Sequence, residues 1–372
     1  MKYPTDSGRQ PWATSQLAAL TAIRDEAKNQ RPDARSKLAQ ILRRSNRSTD
    51  LLAAAMRSLQ EHARVVLHFH PDRLTNNGLS VAESMLVDGV YRSQFETGIS
   101  NGSPTAFAGG DRDLWEKQLF RGAYHVQGVT PADRPKYGSL QVFCYADGPS
   151  PRFGSCYFVM RPEATARCSF TYGDSHTMPD IVGTIDSVDS IMAALLQDIE
   201  ETGSALGSDG LSVAGFLDYL ACEFPTAPDD PARLPVKRNL DEYIEAQVHG
   251  PIELGWDIDR LVADPSYRGT KTGMHLHEIS VRYGIPLQWH PGFVVPVDMV
   301  PDDFRGPSMP AFARWVADIA GKESLDAAAI GAASASLGRE PESWRRWGTQ
   351  DEALRLLRQA WHVVVKFGIP GG

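Results

Sequence analysis

The feature that most limits what this chain can become is a change of apolar period at Arg64. Before it, SQLAALTAIRDEA and STDLLAAAMRSLQEHA repeat apolar residues every three or four positions, the spacing of helices with one buried face. Ser48-Thr49-Asp50 supplies an N-cap for the second of them. From Arg64 to about residue 185 the runs are short: RVVLHF, GSLQVFCYA, GSCYFVMRP and ARCSFTYG, closed by Gly, Pro or Asp as strands are. SVDSIMAALLQDIEETG then reads as a helix stopping at Gly203, and SVAGFLDYLACEF as another. A linker, PTAPDDPARLP, precedes the strand-like DEYIEAQVHGPIEL, and a mixed stretch runs to about Pro301. Helical texture returns from Pro310 to Phe367, with the amphipathic DEALRLLRQAWHVVVKF near its end. Helices, then strands, then helices predict an α+β chain in three parts: a helical segment over 1–63, a β-rich domain over 64–300 and a helical segment over 301–372.

Several function classes fall away early. No GxGxxG follows a strand and no GxxxxGK[ST] occurs, so neither a Rossmann nor a P-loop nucleotide site is expected. No apolar run reaches the roughly 18 residues of a membrane span. MKYPTDSGRQPWATSQ lacks the apolar core of a cleaved signal peptide, so the expectation is a soluble protein whose delivery, if any, leaves no such trace. A net charge of −8, with 46 acidic against 38 basic residues, argues against general nucleic-acid binding, and the cluster Arg43, Arg44 and Arg47 is too small to reverse that. Cys144, Cys156, Cys168 and Cys222 form no CxxC pair and read as small apolar residues in a reducing compartment.

Polar residues recur at strand spacing within the β-rich part. His68 and His70 of LHFHPDR alternate onto one face, and Arg73 follows with a guanidinium suited to bidentate grip of a phosphate. Ser100 to Gly110, ending in Gly109-Gly110, offers backbone N–H groups to a phosphate-bearing ligand. Ser169 and Thr171 share a face in CSFTYGDS, ahead of Asp174, and Tyr137 sits in RPKYGSL. Glu245 and Gln247 share a face in YIEAQVHG, a pair suited to holding sugar hydroxyls and offsetting positive charge. A second HxH, in His275-Leu276-His277-Glu278, permits an alternative: a metal-dependent hydrolase that draws its ligands from HFHPD and HLHE. A non-catalytic protein-binding module is a third reading.

Four stretches together carry a family resemblance: LHFHPDR; VAESMLVDGVYRSQFETGISNGSPTAFAGGDRDLWEKQLFRGAY; RPKYGSLQVF with FTYGDS; and YIEAQVHG. Over roughly residues 64 to 295 the chain resembles bacterial effectors of the CteC type, mono-ADP-ribosyltransferases that modify a threonine hydroxyl of ubiquitin. The resemblance implies a split β-sandwich clasping NAD⁺ between two small sheets, with no metal, and an effector delivered into a host cytosol. It implies an early His or Arg, a middle hydroxyl and a late Glu at the site; here these are His70 or Arg73, Ser169 or Thr171, and Glu245. His68, Arg73, Arg92, Gly109, Gly110, Arg121, Tyr137 and Gln247 are the residues expected around the dinucleotide. Gln247, where an arginine-directed transferase carries a carboxylate, argues against arginine as the acceptor and leaves a hydroxyl open. Asp174 or His249 is the expected acceptor of its proton. Nicotinamide departure leaves an oxocarbenium-like centre, which a carboxylate at Glu245 would stabilise.

Overall fold

The structure, a computed structural model, describes residues 12–99, 105–227 and 230–371. Two N-terminal helices come first, α1 (Thr14–Arg44) and α2 (Thr49–His62). The Ser48 Oγ accepts the Leu51 N–H at 3.2 Å and caps α2, satisfying a donor the helix leaves unpaired. Leu38, Ile41 and Leu42 of α1 and Leu52, Ala55 and Leu59 of α2 are buried in the cluster that also covers the sheet.

The strands are β1 (Arg64–Phe69), β2 (Lys136–Gln141), β3 (Cys156–Met160), β4 (Cys168–Tyr172), β5 (Val182–Thr184), β6 (Ile244–Val248), β7 (Ile258–Ala263) and β8 (Leu287–Trp289). They make one eight-stranded sheet in the order β5-β4-β6-β2-β1-β3-β7-β8. All the pairings are antiparallel except β7 with β8. RVVLHF is β1 to the residue. GSLQVFCYA is only partly a strand: β2 starts at Lys136 and ends at Gln141, and VFCYA leaves the sheet. That run is apolar because it packs, with the Phe143 ring against Phe216 and Tyr219 at 5.5 and 5.3 Å, not because it pairs.

One discontinuity shapes the sheet. β1 holds β2 through Arg64, Val65 and Val66, and holds β3 through Val66 to Phe69. Past Val66 toward its C-terminal end it therefore has no partner on the β2 side. Gly138 marks the point of closest approach, since a Cβ there would stand 2.4 Å from the Val66 carbonyl oxygen. The expected two small sheets are thus a single hydrogen-bonded ladder that parts beside His68 and Phe69.

Register decides what faces the opening. Glu245 pairs with Ser139 and with Thr171, and Gln247 pairs with Tyr137 and with Ser169. Directly paired residues lie on the same side, so Glu245, Gln247, Ser169, Thr171, Tyr137 and Ser139 share one face. Ile244, Ala246, Val248, Phe170 and Leu140 take the other and are at most 1% exposed. Losing a buried ring such as Phe170 typically costs about 3–5 kcal/mol, so this apolar face fixes the polar one.

Eight further helices matter here: α3 (Val81–Asp88), α4 (Asp111–Leu119), α5 (Asp189–Thr202), α6 (Val213–Asp218), α7 (Lys271–Tyr283), α8 (Met309–Ala320), α9 (Ala327–Arg339) and α10 (Gln350–Phe367). α5 ends at Gly203, whose φ of 70° is the left-handed cap the sequence predicts. The tail is not a separate body. Leu357, Ala360 and Trp361 of α10 join the same core as α1, α2 and the sheet. Trp361 Nε1 also donates to the Pro151 carbonyl at 2.8 Å. No helix among the described residues is long and apolar enough to cross a membrane.

Candidate active site

The opening between β1 and β2 is a cleft of about 410 Å³, within the usual range for small-molecule sites. β1 and the turn after it contribute His68, His70 and Arg73. β2 gives Tyr137, β6 gives Glu245, and α4 gives Arg112 and Trp115. Ser150, Arg152, Phe153, Asp174, His176 and Tyr243 also line it.

Glu245 is held by a directional run of hydrogen bonds. Gln247 Nε2 donates to Glu245 Oε1 at 2.9 Å and to Thr171 Oγ1 at 3.2 Å. Ser169 Oγ donates to Gln247 Oε1 at 2.8 Å, so its own oxygen is left to accept from His249 Nε2 at 2.9 Å. His249 Nδ1 then accepts from the Tyr124 hydroxyl at 2.7 Å. This fixes a neutral imidazole protonated at Nε2, in keeping with burial pushing His249 down to about 3. The Ser175 N–H reaches Glu245 Oε2 at 3.4 Å. Burial first, and then the neighbouring Asp174 charge, push the Glu245 carboxyl up to about 7. The donors on Ser175 and Gln247 and the Arg112 charge pull the other way. Burial also works to raise Asp174, but hydrogen bonds from Tyr243 (2.6 Å) and His176 (2.8 Å) outweigh it and hold that carboxyl below its usual range.

The expected residues fall into two groups. Glu245, His68, His70, Arg73, Arg92 and Tyr137 do line the cleft. Ser169, Thr171 and Gln247 do not: none is exposed at all, and they act through Glu245 by the bonds just described. His249 is equally enclosed and has no path to a substrate proton. Both nitrogens of His68 are occupied, Nδ1 by the Gly154 carbonyl at 3.3 Å and Nε2 by the Ser150 N–H at 3.4 Å. His68 thus secures the 148–154 turn rather than offering a ligand atom. Arg92 is already engaged by Asp88 and by Ser84 at 2.7 Å. Arg121 lies away from the cleft, exposed and bonded to Glu26 of α1 at 2.6 Å. The Gly109 N–H donates to Asp113 Oδ2 at 2.9 Å, and Gly110 is the N-cap of α4; neither glycine lines the cleft. Residues 100–104 of that loop lie outside the described residues.

Arg112 is the functional residue the sequence reading missed. Its guanidinium lies over the Tyr137 ring at 4.4 Å and the Trp115 ring at 4.8 Å, and its buried Nε has no partner. The Tyr137 hydroxyl donates to Glu116 at 2.7 Å, and Glu116 also accepts from Arg134 at 2.9 Å, so the stack is fixed from below. An Arg–Trp spacing of three on a helix was the available signal. HLHE falls on α7; His277 and Glu278 border a separate depression, so the two HxH segments do not meet in one site. Among the described residues no three His, Cys, Asp or Glu side chains gather as a metal would require.

The chain is thus a mixed α+β protein whose eight-stranded sheet parts over a polar cleft holding a buried carboxylate. The chain belongs to the family DUF3626, described as a protein of unknown function, whose model matches residues 64–367. That span takes in the sheet, every cleft residue named above and α10. No curated protein matches the sequence.

Proposed function

We propose that this protein is a NAD⁺-dependent mono-ADP-ribosyltransferase of the CteC type, acting on a protein hydroxyl, with a threonine of ubiquitin as the acceptor. The observation that carries the reading is Glu245: a buried carboxylate on a strand beside the parted sheet, oriented by Gln247 and facing a cleft that also holds Arg73 and Arg112 without ion-pair partners among the described residues. A sheet that parts at Val66 over this cleft is also what a split β-sandwich would require.

The chemistry balances without a metal. The glycosidic bond between ribose C1′ and the nicotinamide nitrogen breaks, and its electron pair leaves with the neutral nicotinamide. The acceptor oxygen bonds to C1′, and the hydroxyl proton passes to a base. Ionised Glu245 offsets positive charge at the ribose and accepts from its 2′-hydroxyl. Asp174, kept ionised by Tyr243 and His176, is the carboxylate in reach of the same cleft to take the proton. Arg73, buried and with no ion pair or side-chain hydrogen bond among the described residues, suits the diphosphate. A threonine hydroxyl is a weak nucleophile, so positioning contributes more than deprotonation.

The test is incubation of the full chain with ubiquitin and NAD⁺, read by intact-mass spectrometry. One added ADP-ribose on ubiquitin, absent with Glu245→Ala, supports the proposal. Nicotinamide release without a ubiquitin adduct removes ubiquitin as the acceptor, and no NAD⁺ turnover with ubiquitin or lysate removes the transferase.

A further inference from the structure

The proposed transfer leaves a hydrogen-bonded network beneath His70 without a role. Tyr267 ends the short turn Pro265–Tyr267, and its hydroxyl donates to Asp72 Oδ2 at 2.9 Å. Ser155 Oγ lies 3.1 Å from that hydroxyl and 3.3 Å from His70 Nδ1. Asp72, Tyr267, Ser155 and His70 thus form one unbroken run, and its last member lines the cleft. Tyr267 and Ser155 are almost fully enclosed, so water does not compete for these bonds.

Counting protons gives the run a direction. A hydroxyl has a single proton to donate. Tyr267 spends its proton on Asp72, so Ser155 must donate to Tyr267, and Ser155 Oγ is left to accept from His70 Nδ1. Burial, and then the charges of Arg73, His362 and His68, hold the His70 imidazole well below its usual range, so the ring carries one proton. With that proton on Nδ1, Nε2 is a bare lone pair on the side of the ring away from Ser155. No protein group bonds it among the described residues, and it is not sealed off.

Both ends of the run are anchored. A Cβ on Gly331 of α9 would fall on Asp72 Oδ2, so only glycine lets that helix lie this close. The Ala328 N–H donates to Ser266 Oγ at 3.1 Å and fixes the start of α9 on the Tyr267 turn. At the cleft end the Ser155 carbonyl accepts from His290 Nε2 at 3.0 Å, and Trp361 meets the His70 ring edge-on with centroids 5.3 Å apart. We infer that Asp72, Tyr267 and Ser155 are positioning residues that set His70 in its Nδ1-protonated tautomer, so that Nε2 accepts a hydrogen bond from a ligand in the cleft. The group it takes is a hydroxyl or an amide N–H, since a bare nitrogen repels the oxygens of a carboxylate or phosphate. That the ligand is NAD⁺ rests on the proposed function; the tautomer does not.

The experiment reads the tautomer directly, by long-range nitrogen–proton NMR of the nitrogen-labelled full chain, with His70→Gln identifying the His70 signals by their loss. At neutral pH the wild type should show His70 protonated at Nδ1 and bare at Nε2. Tyr267→Phe frees Ser155 to turn its proton onto Nδ1, and at least half of the His70 population should move to the Nε2-protonated form. Gly331→Ala, which displaces Asp72 and alters no member of the run, should act in the same direction. Thermal melting shows that each variant is folded. In both variants KM for NAD⁺ should rise at least fivefold with kcat within threefold. Nε2-protonated His70 in the wild type, or a tautomer that Tyr267→Phe leaves unchanged, overturns the relay, and a Gly331→Ala spectrum like that of the wild type overturns its anchoring by α9. The expected tautomers with an unchanged KM overturn Nε2 as a ligand contact. The expected tautomers in a protein that never releases nicotinamide keep the relay and remove the transferase.

Discussion

Glu245→Gln should stabilise the protein at pH 8 relative to pH 5, because the wild type carries an ionised carboxylate where burial opposes one. Burial and the Asp174 charge push its carboxyl up to about 7 in the folded protein, against an ordinary value of 4.5. A folded value above the unfolded one means that the native state holds the proton more tightly. Stability from this group is therefore full below pH 4.5, falls as pH rises through 7, and is gone above. Integrated between pH 5 and 8, the two values give a loss of about 2.5 kcal/mol. The residue is 6% exposed, so solvent screening removes little of it. Glutamine keeps the size of the side chain and the bond from Gln247 but has no proton to lose. Its cost at the Ser175 N–H, about 1 kcal/mol, is the same at both pH values. The readout is the difference in Tm between variant and wild type, measured at pH 5 and pH 8 in one buffer system. For a chain of this length about 2.5 kcal/mol corresponds to roughly 3 °C in favour of the variant on going to pH 8. A difference that stays constant, or moves the other way, would refute the claim that Glu245 is buried in an environment hostile to its charge.

In the proposed transfer the same carboxylate must be ionised, so kcat/KM for NAD⁺ cleavage should rise with pH through about 7; a flat profile from pH 6 to 8 contradicts this. Arg112→Met retains an apolar side chain between Trp115 and Tyr137 but removes a charge that lowers Glu245, so the limb of that profile should move to higher pH. Gln247→Glu replaces a donor with a second carboxylate, and transfer at pH 7 should fall by roughly 10²-fold, with recovery toward higher pH absent if both acids cannot ionise together. Gly138→Val drives a side chain into the Val66 carbonyl and should lower stability by about 1–3 kcal/mol in urea denaturation, whereas an unchanged midpoint would mean that β2 can move off β1 freely.

The polar face was legible because alternation in a strand is a local rule. His68, Ser169 with Thr171, and Glu245 with Gln247 each announce a side of a strand, and antiparallel pairing in register merged the β2, β4 and β6 residues onto one face. Which members of that face touch a ligand was not legible. Depth depends on where the sheet parts, and that follows from β1 pairing on different residues to either side. Ser169 and Gln247 thus became supports, although their residue types suit contact. Arg121 sits in a promising motif yet finds Glu26, 95 residues earlier in the chain, and no spacing rule reaches that far. Arg112 escaped because its meaning comes from Tyr137, on a strand the sequence cannot bring under α4. The amphipathic pattern of α10 likewise revealed a buried face without saying what it would be buried against.

Gln247 now carries a different argument from the one its residue type suggested. It does not meet the acceptor, so it cannot select a hydroxyl over a guanidinium by contact. What it does is end a one-way run of donors, from the Tyr124 hydroxyl through His249 and Ser169 to its own amide, which leaves only an N–H to present to Glu245. Each link is forced by the one before it: Ser169 has a single proton and spends it on Gln247, so His249 must be the donor at Nε2. A carboxylate that receives a donor prepared in this way is favoured in its charged form. Burial and Asp174 favour the neutral form, and the balance falls at about 7. The cleft therefore holds a carboxyl group whose charge changes within the range of ordinary cellular pH. The groups that set this balance come from β6 (Gln247), from the turn after β4 (Asp174 and Ser175) and from α4 (Arg112), so sheet, turn and helix meet at one carboxylate.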